Sequence, residues 1–348
     1  MKAMAWGFLA LVSGLAGYGS TAQAAQGPKT DEARFVPLSG SANPLQGQDA
    51  GPLKPLPEGD GGIAAKYPGD VGIDKDPKVI FADNFEEGTT EDHRAKKRKW
   101  KYVTNPLNQS LVSAGEKDQH VASGKQALRI LKHTAVDTGA GNYMPLKPGF
   151  DTVHARFYVR FAEDVQKISH FVWLMAEKGS PKAPMIQAGV IPNGATRFQT
   201  ALEPLCYAEQ WATTGKDAPV WHMYTYWHKM KGNYGTFFNP KPQAVLEQGK
   251  WMCMELMLKA NSAPDVADGE QAIWKDGKLV GRWGGIDWRR TNDLKINGFF
   301  LDVYSGFEKG KQDHMPRVES RVWFDDVVVA QEYIGPRREP KSAKNKKP

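Results

Sequence analysis

Four segments place polar or aromatic side chains on alternate positions, the spacing at which residues of a β-strand share one side. In 153–161 and 222–228 these side chains are His154, Arg156, Tyr158 and Arg160, then His222, Tyr224, Tyr226 and His228. In 252–259 and 299–304 they are Glu255 and Lys259, then Asp302 and Tyr304. We expect the four sets to line one face of one sheet, with His170 at the start of a further apolar run.

Arginine, histidine and tyrosine together suit β-elimination from a uronic-acid polymer. The carboxylate beside the acidic carbon must be neutralised, which Arg, a protonated group or an amide does by charge-assisted hydrogen bonds. A base then removes the proton next to that carboxylate, and an acid protonates the departing glycosidic oxygen. Aromatic rings provide surfaces on which sugars stack.

This chemistry assigns roles to the candidate residues. Tyr224 or Tyr226 is expected to act as base and acid, and His170 and Arg156 as carboxylate neutralisers or base. The expected substrate-binding residues are Arg160, Tyr158, His222, His228, Glu255, Lys259 and Tyr304. The alternative for Arg156 and Arg160 is cross-strand pairing with Glu255, and for His170 it is a structural hydrogen bond.

The remainder of the chain predicts an all-β protein. Short strand-like runs recur between Gly- and Pro-containing turns, which favours an antiparallel two-sheet β-sandwich or jelly roll. The segment 251–307 is predicted to be an antiparallel meander, with a hairpin at Asp276-Gly277. The other predicted strands lie at 79–85, 100–103, 127–131, 153–161, 170–175, 185–190, 222–228 and 322–330, and the best helical candidate is 208–214.

The ends of the chain differ in composition from its middle. Residues 1–25 have the three-part layout of a secretory signal peptide, which predicts a secreted or periplasmic protein. Residues 26–77 are rich in Pro and Gly and predict a linker or disordered arm. The sandwich domain is expected at 78–336, followed by a basic, disordered tail at 337–348. No stretch is apolar enough for membrane insertion.

Charge and cysteine content restrict the partners only mildly. Most of the formal net charge of +7 lies in the tail, so the domain has a weak bias towards acidic ligands. We expect an acidic polysaccharide as partner, no nucleic acid, and a monomer. Cys206 and Cys253 are the only two cysteines, and they form either a disulfide or two small buried side chains.

Several other site classes lack their sequence signals. No strand carries the pair of alternating carboxylates that a retaining glycoside hydrolase of the sandwich type would use. Zinc spacing, a phosphate-binding glycine loop and a Gly-x-Ser-x-Gly elbow are also missing. No cofactor is required by this chemistry. Asp83, Glu86 and Asp325 are either ordinary surface acids or the ligands of a structural calcium ion.

These residues resemble a known family. The runs that carry the likeness are His154-Ala-Arg-Phe-Tyr-Val-Arg-Phe, Tyr224-Thr-Tyr-Trp-His, Trp274-Lys-Asp-Gly-Lys, Asp302-Val-Tyr-Ser-Gly and Phe324-Asp-Asp-Val-Val-Val. They look like secreted concanavalin A-like jelly-roll proteins, nearest to polysaccharide lyase family 14, the alginate and glucuronan lyases. The likeness spans about 78–336 and is strongest after Trp251.

The resemblance implies a fold, an activity and a residue set. The family's Tyr-x-Tyr pair falls on Tyr224 and Tyr226, and its arginine on Arg156 or Arg160. Its strand lysine has Lys259 as a candidate, with His170 or His228 as replacements. The expectation is therefore a secreted lyase of anionic polysaccharides, and the alternative is a non-catalytic, lectin-like carbohydrate-binding protein of the cell envelope.

Overall fold

Sixteen strands form two antiparallel sheets in the computed structural model, which describes residues 53–115, 119–134, 136–179, 187–206, 211–212, 214–215, 217–306 and 318–339. This arrangement is the predicted β-sandwich. The segments predicted as signal peptide, 1–25, and most of the basic tail lie outside the described residues. Among the described residues, no helix has the length and apolar character needed to cross a membrane.

Sheet A holds eight of the described strands. Its order is β14 (Lys278–Ile286), β13 (Gly269–Lys275), β12 (Trp251–Lys259), β6 (Thr152–Phe161), β16 (Glu319–Ala330), β4 (Gln126–His133) and β3 (Gln109–Ser113). The short strand β1 (Val79–Asp83) pairs with the second half of β16.

Sheet B also holds eight of the described strands. Its order is β10 (Thr236–Phe238), β9 (Val220–Tyr226), β8 (Arg197–Leu205), β7 (His170–Glu177), β15 (Ile296–Tyr304), β5 (Gly139–Phe150) and β2 (Tyr102–Val103). β11 (Ala244–Val245) pairs with β9. In the described part of the chain, the helical elements are one α-helix, α1 (Thr90–Arg94), and four 3₁₀ turns at Ile63–Lys66, Pro68–Asp70, Ile73–Lys75 and Pro106–Asn108.

The core lies between the sheets and follows from the two-residue period of the strands. The apolar side of β6 is fully buried, and Phe157 packs against Phe171 of sheet B with ring centres 6.2 Å apart. Phe171 in turn stacks on Phe324 of sheet A at 5.3 Å. Full burial of each such ring contributes roughly 2 to 3 kcal/mol to folding, which ties the two sheets together.

The predicted meander at 251–307 is only partly correct. β12, β13 and β14 are neighbours in sheet A, and Asp276 and Gly277 both have positive φ, as a type I′ hairpin requires. β15, however, crosses to sheet B and lies between β7 and β5. Local alternation predicts a strand but does not specify the sheet to which that strand belongs.

Residues 53–77, predicted as part of a linker or disordered arm, pack against the outer side of sheet A. Ile63 and Ile73 are buried together with Ile334, which follows β16. The backbone N–H groups of Ile63 and Ala64 donate to the carbonyls of Tyr333 and Ile334 at 3.0 and 2.9 Å. These contacts come from residues distant in sequence, so the arm's own composition does not indicate them.

Cys206 and Cys253 do not form a disulfide, and both are buried. Cys253 lies in β12 of sheet A, and Cys206 follows β8 of sheet B. The thiol of Cys206 donates to the carbonyl of Asp217 at 3.1 Å. The alternative of two small buried side chains therefore applies.

Candidate active site

The outer face of sheet B brings together the titratable residues of β7, β8, β9 and β15. Thr200 of β8 and Thr225 of β9 point the other way, because both donate to the side-chain oxygen of Gln271 in sheet A, at 2.8 and 3.0 Å. The alternate residues of β8 and β9 therefore face away from the core, and cross-strand register pairs Glu203 with His222 and Gln199 with Tyr226.

His170 is at the centre of this face. Its Nδ1 lies 2.8 Å from Oε1 of Glu203. Its ring is stacked on Tyr224 and on Tyr304, which approach from strands on either side of β7, each at 5.5 Å between ring centres. The carboxylate acceptor places the ring proton of neutral His170 on Nδ1. Nε2 is therefore the nitrogen that can contact a substrate, and 29% of the side chain is exposed.

Glu203 sets the electrostatics around His170. Burial lowers the pKa of His170, but the charge of Glu203 and its hydrogen bond outweigh burial, so the pKa is raised. Burial lowers the pKa of His222 to about 3, with a further contribution from the charge of His170. Burial, and then repulsion from Glu203, holds the pKa of Asp302 well above its ordinary value. Of the two histidines of this cluster, His170 therefore has a raised pKa and His222 a lowered one.

Tyr224 and Tyr226 form a hydroxyl pair next to His170. Their hydroxyl oxygens lie 3.1 Å apart, and the backbone N–H of Gly235 donates to the Tyr224 oxygen at 3.1 Å. Burial, then the hydrogen bond with Tyr226, raises the pKa of Tyr224. A Cβ atom on Gly235 would lie within 2.8 Å of both rings, so glycine is needed for this close approach. Tyr224 is a phenol, and hence a proton donor, at neutral pH.

β8 supplies two residues that the sequence analysis missed. Nε2 of Gln199 and Nη1 of Arg197 are buried and have no hydrogen-bond partner among the described residues, whereas Nη2 of Arg197 donates to the carbonyl of Val190 at 2.7 Å. A buried donor without a partner costs about 1 to 3 kcal/mol. Each such donor calls for an explanation, and a ligand bound at this face would provide one.

The alternation of Arg197, Gln199 and Glu203 with Phe198 and Leu202 was the available sequence signal. Thr200 and Pro204 interrupt its apolar side and made the strand difficult to recognise. A strand was predicted at 185–190 instead; residues 185–186 lie outside the described part, and 187–190 are not a strand. The helical segment predicted at 208–214 lies mostly outside the described residues.

The prediction that all four residue sets share one face is wrong. β6 and β12 are neighbours in sheet A, and their polar residues point to its outer side, where the register pairs Glu255 with Arg156. The members that lie there are Arg156, Tyr158, Arg160, Glu255 and Lys259. A period of two determines the side of a strand but not its sheet, so the pattern could not separate the two faces.

Structural contacts account for these sheet A residues. Arg156 is fully buried and forms an ion pair with Asp70 of the arm. Glu255 accepts hydrogen bonds from the ring of His154 at 2.8 Å and from two backbone N–H groups beyond β16 at 3.0 and 2.9 Å. The predicted catalytic residue Arg156 therefore does not reach His170 or the tyrosine pair.

The other sheet A candidates are engaged in a similar way. Lys259 pairs with Glu270 at 2.8 Å, and the hydroxyl oxygen of Tyr158 accepts the backbone N–H of Arg337 at 2.9 Å. Arg160 donates to the carbonyl of Gly249. These contacts hold together neighbouring strands, the hairpin loops and the segment that follows β16.

His228 lies beyond the end of β9, and its Nε2 is 3.4 Å from Oδ2 of Asp287. It therefore does not continue the row formed by His222, Tyr224 and Tyr226. Tyr304 and Asp302, by contrast, do lie with His170 on the face of sheet B.

A cavity of about 500 Å³ lies far from these residues, between the arm and sheet A. Four of its charged lining residues already form ion pairs: Lys259 and Arg282 with Glu270, and Lys66 with Asp76. The size of the cavity is therefore a weaker indication of chemistry than the unpartnered donors of β8.

The alternative of a structural calcium ion does not fit the carboxylates. Asp83 accepts from Arg98 and from the indole of Trp100, at 2.9 and 2.8 Å. Glu86 accepts two backbone N–H groups and Asp325 accepts three. Among the described residues no group of three acidic, histidine or cysteine side chains could hold a metal ion.

No protein-family model and no curated protein sequence matches the chain. Solved structures, however, do match it. The marine PL-14 alginate lyase from Aplysia kurodai superposes with a TM-score of 0.55 at 15% identity, over 73% of this chain and 99% of the other. A mutant of alginate lyase Aly36B in complex with alginate trisaccharide gives 0.54 at 14% identity, over 74% and 99%.

The chain has the fold of these alginate lyases. The sandwich predicted from the strand pattern and the jelly roll implied by the family resemblance are both confirmed at the level of the fold. At this identity the likeness extends to architecture only. The reaction that the protein can perform depends on the residues on the face of sheet B.

Proposed function

We propose that this protein is a secreted or periplasmic polysaccharide lyase that cleaves an anionic, uronate-containing polysaccharide by β-elimination. The observation that carries the proposal is the position of His170, held by Glu203 and stacked between Tyr224 and Tyr304. Elimination needs a base and an acid that reach one sugar together. The likeness to proteins described as alginate lyases supports the same reaction.

His170 acts as the base in this proposal. Its Nε2 takes the proton from the carbon next to the uronate carboxylate, while Glu203 stabilises the imidazolium that forms. The electron pair of that C–H bond forms a carbon–carbon double bond, and the bond to the departing glycosidic oxygen breaks. Tyr224, which is protonated at neutral pH, donates its proton to that oxygen. Proton return from His170 to Tyr224 restores the starting state.

Gln199 and Arg197 neutralise the substrate carboxylate. Nε2 of Gln199 and Nη1 of Arg197 are among the buried donors of this face that have no hydrogen-bond partner among the described residues, and Gln199 is the cross-strand neighbour of Tyr226. Hydrogen bonds from an amide and a guanidinium lower the cost of charge that builds up on the carboxylate as the proton leaves. They take the role that the sequence analysis assigned to Arg156.

The proposal is tested by incubating the purified protein with alginate, glucuronan and glycosaminoglycans while following the ultraviolet absorbance of unsaturated uronate. We expect absorbance to rise on at least one polymer, and to rise more slowly, by roughly 100-fold or more, with Tyr224→Phe. Tyr158→Phe, on sheet A, is the matched control and should keep full activity. Binding of a polymer without any unsaturated product would contradict the lyase and support the lectin-like alternative.

A further inference from the structure

One cross-strand row on the outer face of sheet B is almost entirely aromatic. From edge to edge its members are Tyr102, Tyr143, Phe300, Trp173, Ala201, Tyr224 and Phe237. Neighbouring strands lie about 4.8 Å apart, so the row extends for about 29 Å across the strands. It passes the site at Ala201 and Tyr224, next to His170.

The two ends of the row are accessible, whereas its middle is buried. Phe237 is 40% exposed at one edge, and Tyr102 is partly exposed at the other. Trp173 and Tyr143 are fully buried. An extended ligand that crosses the strands would therefore contact aromatic rings of the row at its two ends, and between them the partly exposed ring of His170, but not Trp173 or Tyr143.

A run of basic residues lies at the Tyr102 end of the row, at 96–101. Arg98 pairs with Asp83, and Lys99 donates to the carbonyl of Ala82. The other three cations, Lys96, Lys97 and Lys101, are exposed. Nζ of Lys96 lies 5.4 Å from the ring centre of Tyr102, so this edge combines an aromatic surface with positive charge.

We propose that Lys96, Lys97, Lys101 and Tyr102 form a distal subsite that binds carboxylates of an acidic polysaccharide lying across the strands of sheet B. The inference rests on the proposed function for the position of the cleavage site. β2 is three strands from β7, which is about 14 Å, so the subsite and His170 contact different sugars of one chain. The combination of an aromatic ring, on which a sugar can stack, with positive charge favours an acidic polysaccharide over another polyanion.

The test compares two triple variants with equal loss of charge. Lys96→Gln/Lys97→Gln/Lys101→Gln removes the subsite, and Lys54→Gln/Lys75→Gln/Lys278→Gln removes three exposed cations elsewhere. Glutamine is used because it removes the positive charge and keeps an unbranched, polar side chain, also at Lys96, which has a positive φ. KM and kcat are measured on the polymer that the unmodified protein cleaves and on its trisaccharide, and affinity electrophoresis is run in gels that contain alginate, glucuronan, neutral dextran or no polymer.

We expect the subsite variant to raise KM for the polymer roughly tenfold with little change in kcat. Its kinetics on the trisaccharide should match those of the unmodified protein, as should the kinetics of the control variant on both substrates. Salt should weaken polymer binding by the unmodified protein more than by the subsite variant.

If the subsite variant and the control variant have the same KM for the polymer, the subsite proposal is overturned and the lyase proposal is not affected. If the subsite variant is no longer retarded by the polymer and neither the unmodified protein nor any variant cleaves it, the lyase proposal is overturned but the subsite is supported. No retardation of the unmodified protein in any acidic gel, together with no unsaturated product from any polymer, would overturn both. The affinity of each form for a single-stranded oligonucleotide is measured in parallel. If the subsite variant loses as much affinity for the oligonucleotide as for the acidic polysaccharide, the assignment to a polysaccharide is overturned.

Discussion

Nδ1 of His170 lies 2.8 Å from Oε1 of Glu203, which is itself buried in the outer face of sheet B. The two residues come from neighbouring strands, β7 and β8, and the carboxylate is shielded from water by the sheet around it. Its charge is therefore weakly screened, and it both orients the imidazole and raises the pKa of His170. This pair sets the protonation state on which the proposed reaction depends.

The pH profile of kcat should be displaced towards alkaline pH. A base must be neutral, and the pKa of His170 is raised from 6.5, so we expect the acidic limb of kcat to lie above pH 6.5. The acid Tyr224 has a pKa raised from 10.0, so activity should not decline below pH 10 for this reason. Initial rates across this range measure both limbs, and an acidic limb centred below pH 6 would contradict the assignment of His170.

Glu203→Gln should lower the pKa of His170 because it removes the neighbouring negative charge. The acidic limb of kcat then moves to lower pH, and kcat itself falls roughly tenfold or more because the imidazole is less well oriented. NMR titration of the His170 ring protons measures the pKa directly. Glu255→Gln, at the His154 pair of sheet A, is the control that should leave the pKa of His170 unchanged.

Tyr224→Phe should reduce kcat by roughly 100-fold or more, since general acid catalysis contributes about that factor. Tyr226→Phe keeps the Tyr224 hydroxyl and removes only its neighbour, so we expect a smaller loss. Steady-state rates on the polymer, compared at equal folded concentration, distinguish the two variants. The reverse order of effects would indicate that Tyr226 is the proton donor.

Gln199→Leu should raise the stability of the protein and lower its activity. The substitution removes a buried donor that has no partner among the described residues, so we expect the free energy of unfolding to rise by about 1 kcal/mol. Loss of a carboxylate contact should lower kcat/KM on the polymer at the same time. Denaturant unfolding and initial rates measure the two quantities, and lower stability together with unchanged activity would count against the assigned role.

Asp70→Asn should destabilise the fold through Arg156. The guanidinium of Arg156 is fully buried, so loss of its partner leaves an uncompensated charge and costs about 3 to 5 kcal/mol. Asp70→Leu/Arg156→Met removes both charges and should recover most of the stability. Because Arg156 lies on sheet A, the double variant should also keep the kcat of the unmodified protein. A double variant that is stable but inactive would indicate that Arg156 takes part in the reaction.

The sequence by itself predicted most of the strands and the sides of their residues, although it missed β5 and β8. The two-residue period identified β6, β9, β12 and β15, and the Asp276-Gly277 pair identified a hairpin whose two central residues have positive φ. Composition and alternation are local properties, and strand formation with one buried side depends on them directly. The sandwich class followed from the number and spacing of such runs.

Only the tertiary structure decided which residues meet. Arg156 and Tyr224 have the same pattern in sequence, yet one lies on sheet A beneath the arm and the other on sheet B beside His170. Sheet membership depends on pairing between strands far apart in the chain, such as β7 with β15, and alternation is the same in either sheet. The same long-range pairing placed Glu203 against His170 and made a site from residues that the sequence leaves scattered.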